Sequence, residues 1–503
     1  MKKYLPLCMT LTLFTPCLAR IDAGIYQSKT FMWTRPAFLN MAAEQAFWHD
    51  FIYNKPSKGG NSVQIKSMYQ KSLPKKRIKQ YFLFGCSGNL LVTGDDSSCV
   101  EDRNVRAEWL GIPDSQFSGR MTIDPEQRQT GFSFTFHKDI STLSDLSMFQ
   151  DYWVSIELPI FAVRNSLNLT QYDINFNGER NQGPTDLISA FNQKCWHYAK
   201  IPNERSNLNA VGLLFKFGRA FLSQDHFQVV YYSTLNIPFG DGQNPEYLFD
   251  AYLGTNRHFG MGAGANFQVL LNQDASRYAL CWFLNLEQLF LMRNKQLRTF
   301  DLKGKPWSRY MLYNRMDGPA NQNIPGVNIL TLKSRVRPYN WVDFSTGWRF
   351  MTEHWDLELG YDLWGHGNER VEIRCNFPEI YGIAGDGATP EGKAVSASKS
   401  TICHRAENDT TTMTNYDSCT QSSPGNPTIC QKDLFVPVTL GDIDETSAEA
   451  QSAINHKFHI AIGYVDKGTN MDGFFGFGGS LEFPQKNSAL HLWNIWFKVG
   501  ASR

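Results

Sequence analysis

Hydrophobic and polar residues alternate with a period of two along most of the chain after residue 62. In the run 355–364, one face carries Trp355, Leu357, Leu359 and Tyr361, and the other carries Asp356, Glu358 and Asp362. Similar alternation recurs at 278–287, 341–350 and 473–483. A helix would scatter such sets around its axis, so the pattern predicts β-strands.

These alternating runs are long, at about nine to eleven residues, which is the length of a tilted strand that crosses a bilayer. Globular strands are usually shorter, at about five or six residues. We count about 14 strand segments (12–16) between residues 62 and 503, consistent with an all-β, closed antiparallel transmembrane barrel. A large soluble sandwich with one solvated face is the alternative.

Tryptophans distinguish these two folds, because membrane barrels carry aromatic girdles at both interfaces. Six tryptophans lie near predicted strand ends, namely Trp341, Trp348, Trp355, Trp364, Trp493 and Trp496. We therefore favour the barrel. The polar face would then line the lumen, and the candidate lumen-facing residues are Glu287, Asp343, Arg349, Asp356, Glu358 and Asp362.

The N-terminus differs from the rest of the chain. Residues 1–19 combine basic Lys2 and Lys3, a short apolar stretch and small residues before a cut near Ala19, which predicts a cleaved signal peptide. Residues 20–61 contain apolar positions at helical spacing, with Asn40 as a candidate N-cap. This segment is either a plug or periplasmic helix or a short packing helix, and we favour the packing helix.

Composition narrows the function classes. The 503 residues carry a net charge of +1, which gives no reason to expect a nucleic-acid partner. Beyond the N-terminal segment, no apolar run is long enough for a membrane helix. No motif marks a catalytic, cofactor or metal site, so we predict a protein that is not an enzyme and binds no cofactor.

The cysteines agree with an exported protein. Candidates for disulfides are Cys86, Cys99, Cys375, Cys403, Cys419 and Cys430. Cys86 and Cys99 flank one short polar loop, which favours pairing of these two. Four of the six fall in or beside the polar stretch 366–455, whose pairing the sequence leaves open. Spacings typical of zinc sites are absent from the sequence.

The polar stretch 366–455 interrupts the alternation and is predicted to be a long, disulfide-bearing loop of the barrel 62–503. If the C-terminus is periplasmic, counting strands backwards places this loop on the extracellular side, or folded from there into the lumen. Outer loops are the long ones in such barrels.

With these features together, the chain resembles porin-like outer-membrane β-barrels of Gram-negative-type bacteria that carry a signal peptide, an N-terminal helix and a long penultimate loop. The resemblance lies in 155–169, 259–268 and 474–500. It implies location in the bacterial outer membrane, contact with membrane lipid and lipopolysaccharide, and an architecture that also occurs as a homo-oligomer. It identifies a class of architecture and no particular solute.

Three functions fit this class. We favour a porin-like channel for passive passage of small hydrophilic solutes, because the non-lipid face is polar. A surface-exposed structural or adhesion protein is the alternative, with the long loop as contact surface. An enzyme in the membrane or secreted is the least favoured, because no nucleophile and base are marked. Fold alone does not decide among them.

Overall fold

The computed structural model describes residues 28–47, 60–74, 78–85, 88–140, 151–224, 227–274, 278–315, 322–384, 400–404, 437–468 and 471–503. The predicted signal peptide, residues 1–19, lies outside these ranges. Twelve long strands form a closed antiparallel barrel. They are β1 (Asn61–Ser72), β2 (Glu126–Asp139), β3 (Tyr152–Ser166), β4 (Gly212–Gln224), β5 (Phe227–Pro238), β6 (Gly260–Asp274), β7 (Tyr278–Leu291), β8 (Tyr339–Met351), β9 (Trp355–His366), β10 (Ala453–Lys467), β11 (Asp472–Pro484) and β12 (Leu492–Ser502).

Each strand pairs with the next one along the chain, and β1 pairs with β12 to close the barrel. The closing register joins Ser62 to Ser502 and Ser72 to Leu492. Closure leaves no unpaired strand edge among the twelve, which removes the main route by which β-sheets aggregate.

The predicted all-β antiparallel barrel is confirmed, but its count of about 14 strands is wrong by two. The connections contain further short strands, which pair outside the barrel sheet except for Arg205–Ala210, which pairs with β3 without joining the closed ring. One example is Asn294–Thr299, which pairs with Thr331–Arg337. The remaining short strands are Leu90–Thr93, Val105–Arg106, Ser118–Thr122, Thr170–Asn175, Arg205–Ala210, Asp301–Leu302, Leu312–Arg315, Ile324–Pro325, Arg370–Ile373, Tyr381–Ile383 and Ile443–Asp444.

The outer face of the barrel is apolar and the inner face polar. On β9, the side chains of Trp355 and Leu359 are 54% and 50% exposed, whereas Asp356 and Glu358 are buried. The interpretation of all six tryptophans as a girdle is wrong for three of them. Trp341, Trp364 and Trp496 are buried. Their positions share the parity of the buried polar residues in β8, β9 and β12, so the strand geometry turns them inward.

Long and short connections lie at opposite ends of the barrel. Residues 352–354 and 468–471 join strands at the short-connection end, which also holds the first and last strand termini. The other end carries the long connections, which together form a second folded layer that we call the cap, comprising the described parts of 73–125, 167–211, 239–259, 292–338, 367–452 and 485–491.

The cap has its own apolar core. Its largest buried side chains include Trp109, Trp196, Trp307 and Tyr313, which belong to one continuous cluster. The helices are short: α1 (Met41–Gln45), α2 (Leu187–Ala190) and α3 (Gly326–Ile329), and 3-10 turns at Ile78–Tyr81, Val100–Asp102, Ala107–Leu110, Ser308–Tyr310, Leu440–Asp442 and Glu445–Ala448. None of the helices in the described ranges is long and apolar enough to cross a lipid bilayer.

The cap also explains why the predicted disulfides fail. Cys99, Cys375 and Cys403 carry free thiols, so the pairing of Cys99 with Cys86 is wrong. Cys86, Cys419 and Cys430 lie outside the described residues. The prediction assumed polar loops without a core, for which cross-links matter most. The connections instead bury a shared core, and the Cys403 thiol donates to the Asn104 carbonyl oxygen at 2.9 Å.

Candidate functional site: the barrel lumen

The six predicted lumen residues all lie on inward-facing positions of three neighbouring strands, with Glu287 on β7, Asp343 and Arg349 on β8, and Asp356, Glu358 and Asp362 on β9. They come together because strands β7, β8 and β9 pair in sequence. Register places Glu287 opposite Asp343, and Arg349 opposite Glu358.

Four of the six residues, Arg349, Asp356, Glu358 and Asp362, take part in one buried ionic network. Arg349 Nε donates to Asp356 Oδ2 at 3.1 Å, and the Arg349 guanidinium lies 3.9 Å from Glu358. On β10, the His459 imidazole bridges two carboxylates, with Nε2 3.0 Å from Glu358 and Nδ1 2.8 Å from Asp362. Because a charge removed from water is costly unless paired, these contacts are what allow the charges to be buried.

Glu287 is held from β4 and β5. Lys216 Nζ lies 3.0 Å from its carboxylate, and the hydroxyls of Tyr232 and Thr234 each donate to it at 3.0 Å. Lys457 on β10 pairs with Asp362 at 3.4 Å. Thus each of these carboxylates has at least one cationic partner supplied by another strand.

Asp343 is different. Among the described residues, no lysine or arginine lies within ion-pair distance of it, and its buried Oδ1 atom has no hydrogen-bond partner. Asp343 borders a cavity of about 40 Å³ whose wall also includes Glu287, Trp341 and Trp364. The remaining wall comes from residues preceding and within α1, among them Asn40 and Glu44.

The N-terminal segment, which we define as residues 28–47, occupies the lumen. Its Arg35 side chain is buried, with Nη2 2.6 Å from Glu482 on β11 and 2.9 Å from Gln70 Oε1 on β1. Gln129 on β2 accepts from the Ala37 backbone N–H at 2.8 Å. The segment is therefore held by polar contacts with several walls of the barrel.

Helix α1 sits across the middle of the lumen. Asn40 caps it, since its side chain accepts from the Ala43 N–H, and the same oxygen accepts from Lys457 Nζ at 2.7 Å. At the other end, Lys498 Nζ donates to the carbonyl oxygens of Glu44 and Ala46 at 2.8 and 2.5 Å. A cation at these carbonyls suits the negative end of a helix.

The first residues of the segment contact both the cap and the barrel wall. Lys29 Nζ donates to the Thr446 carbonyl at 2.6 Å, and burial lowers the pKa of this amine. Trp33 packs edge-on against Trp341 at 5.3 Å between ring centroids. The preference for a simple packing helix thus understated its role, because the segment fills the inside of the barrel.

Sequence analysis missed several lumen residues, all of them on the same parity as those it found. They are Glu157, Glu482, Lys66, Lys216, Lys457, Lys498 and His459. Parity could have identified them, because all but Lys216 lie at an even number of residues from a buried polar neighbour on their own strand, and Lys216 lies two residues from the buried Leu214. Lys66 pairs with Glu157 across the barrel wall at 3.2 Å. Within the described residues, no group of three metal-ligating side chains is close enough to hold an ion.

The sequence matches no known protein-family profile and no curated protein. Among solved structures, the chain is similar to an outer membrane channel from Pseudomonas putida F1, with 8% identity, 88% of this chain and 95% of that chain covered, and a TM-score of 0.35. It is also similar to a Pseudomonas aeruginosa FadL homologue, with 9% identity, 94% and 98% covered, and a TM-score of 0.29. Likenesses at this level carry no conclusion about activity.

Proposed function

We propose that this protein is an outer-membrane β-barrel channel that its own N-terminal segment holds closed, and that small hydrophilic solutes pass through it once the segment moves. The observation that carries the proposal is the charged lumen face, with a separate segment of the chain filling the space inside.

Membrane location is supported by the outer face. Large apolar side chains are exposed on it at alternating positions around the barrel, including Ile65, Phe134, Met261, Leu286, Phe350, Leu359, Ile460, Phe477 and Phe497. A continuous apolar belt in contact with water would be unfavourable, at roughly 25 cal/mol per Å². In a bilayer the same belt is solvated, and the closed backbone satisfies its own hydrogen bonds.

Orientation follows from the two ends. Short connections such as 352–354 and both barrel termini share one end, and the cap lies at the other. Bacterial outer-membrane barrels keep short turns in the periplasm and long loops outside. We therefore place the cap, including 367–452, on the cell surface, where its rim would meet lipopolysaccharide. Protease added to intact cells should cut in this connection, and cutting only after outer-membrane rupture would reverse the orientation.

The charged lumen favours a channel over a simple membrane anchor. Burying ion pairs contributes little net stability compared with apolar packing of the same volume. A barrel that only anchors a cap gains nothing from Arg349, His459 and Lys457 inside it. Those side chains are useful if water and solutes reach the lumen when the segment has left.

Gating can be tested on the full chain with a substitution that displaces Phe47 of the N-terminal segment. A Cβ atom added at Gly463 of β10 would lie 2.8 Å from the Phe47 ring, and its three nearest atoms all belong to that ring. Gly463→Val should therefore push the segment away and raise planar-bilayer conductance. The matched control is Gly473→Val on the outer parity of β11, where the added Cβ meets only the Gly500 carbonyl at 3.7 Å.

Two further proteins complete the test. Adding Phe47→Ala to Gly463→Val should return conductance toward the wild-type level, because the clash is relieved. Deletion of residues 28–47 should give the highest conductance of the set. If all variants migrate as folded, heat-modifiable barrels and all remain silent, the channel proposal is wrong.

A second function, a surface structural or adhesion protein, is favoured by the cap. Its core holds five fully buried tryptophan and tyrosine side chains, Trp109, Trp196, Trp307, Tyr310 and Tyr313. This role would be supported if the Gly463→Val protein and the 28–47 deletion fold but show no conductance in planar bilayers.

A further inference from the structure

The charged residues of the lumen wall balance almost completely. Seven carboxylates lie on its buried face, namely Glu157, Glu287, Asp343, Asp356, Glu358, Asp362 and Glu482. Five lysines and arginines face them, Lys66, Lys216, Arg349, Lys457 and Lys498. His459 supplies a sixth cation, since both ring nitrogens face carboxylates, which only an imidazolium satisfies by donating twice.

Most of these charges pair within the wall. The wall pairs are Lys66–Glu157, Lys216–Glu287, Arg349–Asp356, Lys457–Asp362 and His459–Glu358. Glu482 and Lys498 depend on the N-terminal segment, through Arg35 and the carbonyls after α1. When the segment leaves the lumen, Glu482 and Lys498 lose these partners. Their charges have opposite sign, so they add nothing to the net charge of the wall. Among these thirteen side chains, the charge that remains unbalanced is the carboxylate of Asp343.

The surroundings of Asp343 suit a cation. Its cavity is bordered by the indole rings of Trp341 and Trp364 and by the Glu287 carboxylate. Aromatic faces attract cations through the ring quadrupole, and a carboxylate nearby adds direct attraction. The low-dielectric wall of a barrel focuses field lines into the lumen, so one unpaired charge there acts more strongly on a passing ion than the same charge on an open surface would.

We infer that the open lumen selects small cations and that Asp343 is the residue that determines this selectivity. The inference rests on the proposed channel function, whose solute class it names. Asp343 attracts cations at the point where β7 and β8 meet α1, and repels anions there. The paired charges elsewhere in the wall contribute little preference for either sign.

The test uses the conducting Gly463→Val protein in a planar bilayer with a KCl gradient. The reversal potential should have the sign of a cation-selective pore. Asp343→Asn should move it to near zero, and Asp343→Lys should reverse its sign. Asp343→Glu, which keeps the charge, should preserve selectivity, and Glu353→Gln in the exposed turn 352–354 is the charge-matched control.

The outcomes separate the two proposals. A silent Gly463→Val protein and a silent 28–47 deletion, both folded, would overturn the channel and this inference with it. A conducting pore that shows no cation preference, or whose reversal potential is unchanged by both Asp343→Asn and Asp343→Lys, overturns the cation site and leaves the channel standing. Heat-modifiable migration of each variant checks that it is folded.

Discussion

The barrel and the cap are built from one chain with opposite polarity. In the barrel, Lys66 and Glu358 are buried while Phe477 and Leu359 are exposed. In the cap, Trp307 is buried with no exposed surface. The change from an apolar to a polar exposed surface occurs where the barrel strands end. The exposed surfaces of the barrel and of the cap therefore suit two different solvents.

The difference shows what stabilises each region. The barrel satisfies its backbone by closure, so its lumen can hold charges beside the apolar contacts that Phe38 and Phe47 of the N-terminal segment make with the wall. The cap has only short strands, and its irregular connections gain stability by burying apolar side chains together. The N-terminal segment crosses this boundary, with Met32 in the cap core and Arg35 in the ionic network of the lumen.

The largest expected effect is a loss of stability of the cap while the barrel stays folded. Trp307 packs against Phe84, Phe191 and Tyr310 at 5.4, 5.8 and 5.1 Å, and its indole donates to the Phe82 carbonyl. Trp307→Ala should lower the free energy of unfolding of the cap by about 3–5 kcal/mol. Limited proteolysis should then cut the cap while heat-modifiable migration of the barrel persists. Simultaneous loss of both would show that the two regions are one folding unit.

A charge on the outer face should cost somewhat less. Leu359→Arg in lipid vesicles should lower the free energy of unfolding by about 2–4 kcal/mol if the residue lies at mid-bilayer. The matched control is Leu440→Arg in the cap, where the leucine is 44% exposed and a surface substitution should stay within about 0.5 kcal/mol. Equal costs from urea titration would mean that both faces meet the same solvent.

A pH-dependent effect should appear at the junction of the two regions. Burial lowers the pKa of His258 to about 4, and its ring bonds the Met292 carbonyl at 2.7 Å and Gln296 at 2.9 Å. In the unfolded chain the pKa is about 6.5, so between these values the unfolded state binds more protons. Stability should therefore fall as pH drops from 6.5 to 4. Urea titrations of wild type and His258→Gln should differ in this slope, and identical slopes would contradict it.

The smallest effect concerns the cap surface. Burial alone would raise the pKa of Asp95, but hydrogen bonds from Arg106 and Arg103 lower it to about 2. The depressed pKa means that this stabilisation is present above pH 4 and is lost as pH falls through about 2. The carboxylate side chain is 38% exposed. Asp95→Asn should therefore cost about 1 kcal/mol or less at pH 7. A cost several times larger would mean that Arg103 and Arg106 need this partner to be buried.

The strands and their two faces can be predicted from the residue pattern, because a period of two is a local property that each strand repeats. The alternation placed Asp356, Glu358 and Asp362 on the face opposite Trp355 and Leu359, which is the arrangement found. The same parity, applied strictly, would have turned Trp341, Trp364 and Trp496 inward and added Lys457 and Lys498 to the lumen.

What fills and covers the barrel depends on contacts between residues far apart along the chain. Whether a short strand such as Asn294–Thr299 joins the barrel depends on its partner, and no local pattern names that partner. The entry of residues 28–47 into the lumen depends on pairs such as Arg35 with Glu482, which lie 447 positions apart along the chain. The cap core likewise joins six connections, and Cys99 and Cys403 of the cap carry free thiols. Long-range contacts, which sequence periodicity does not encode, thus set the closed state.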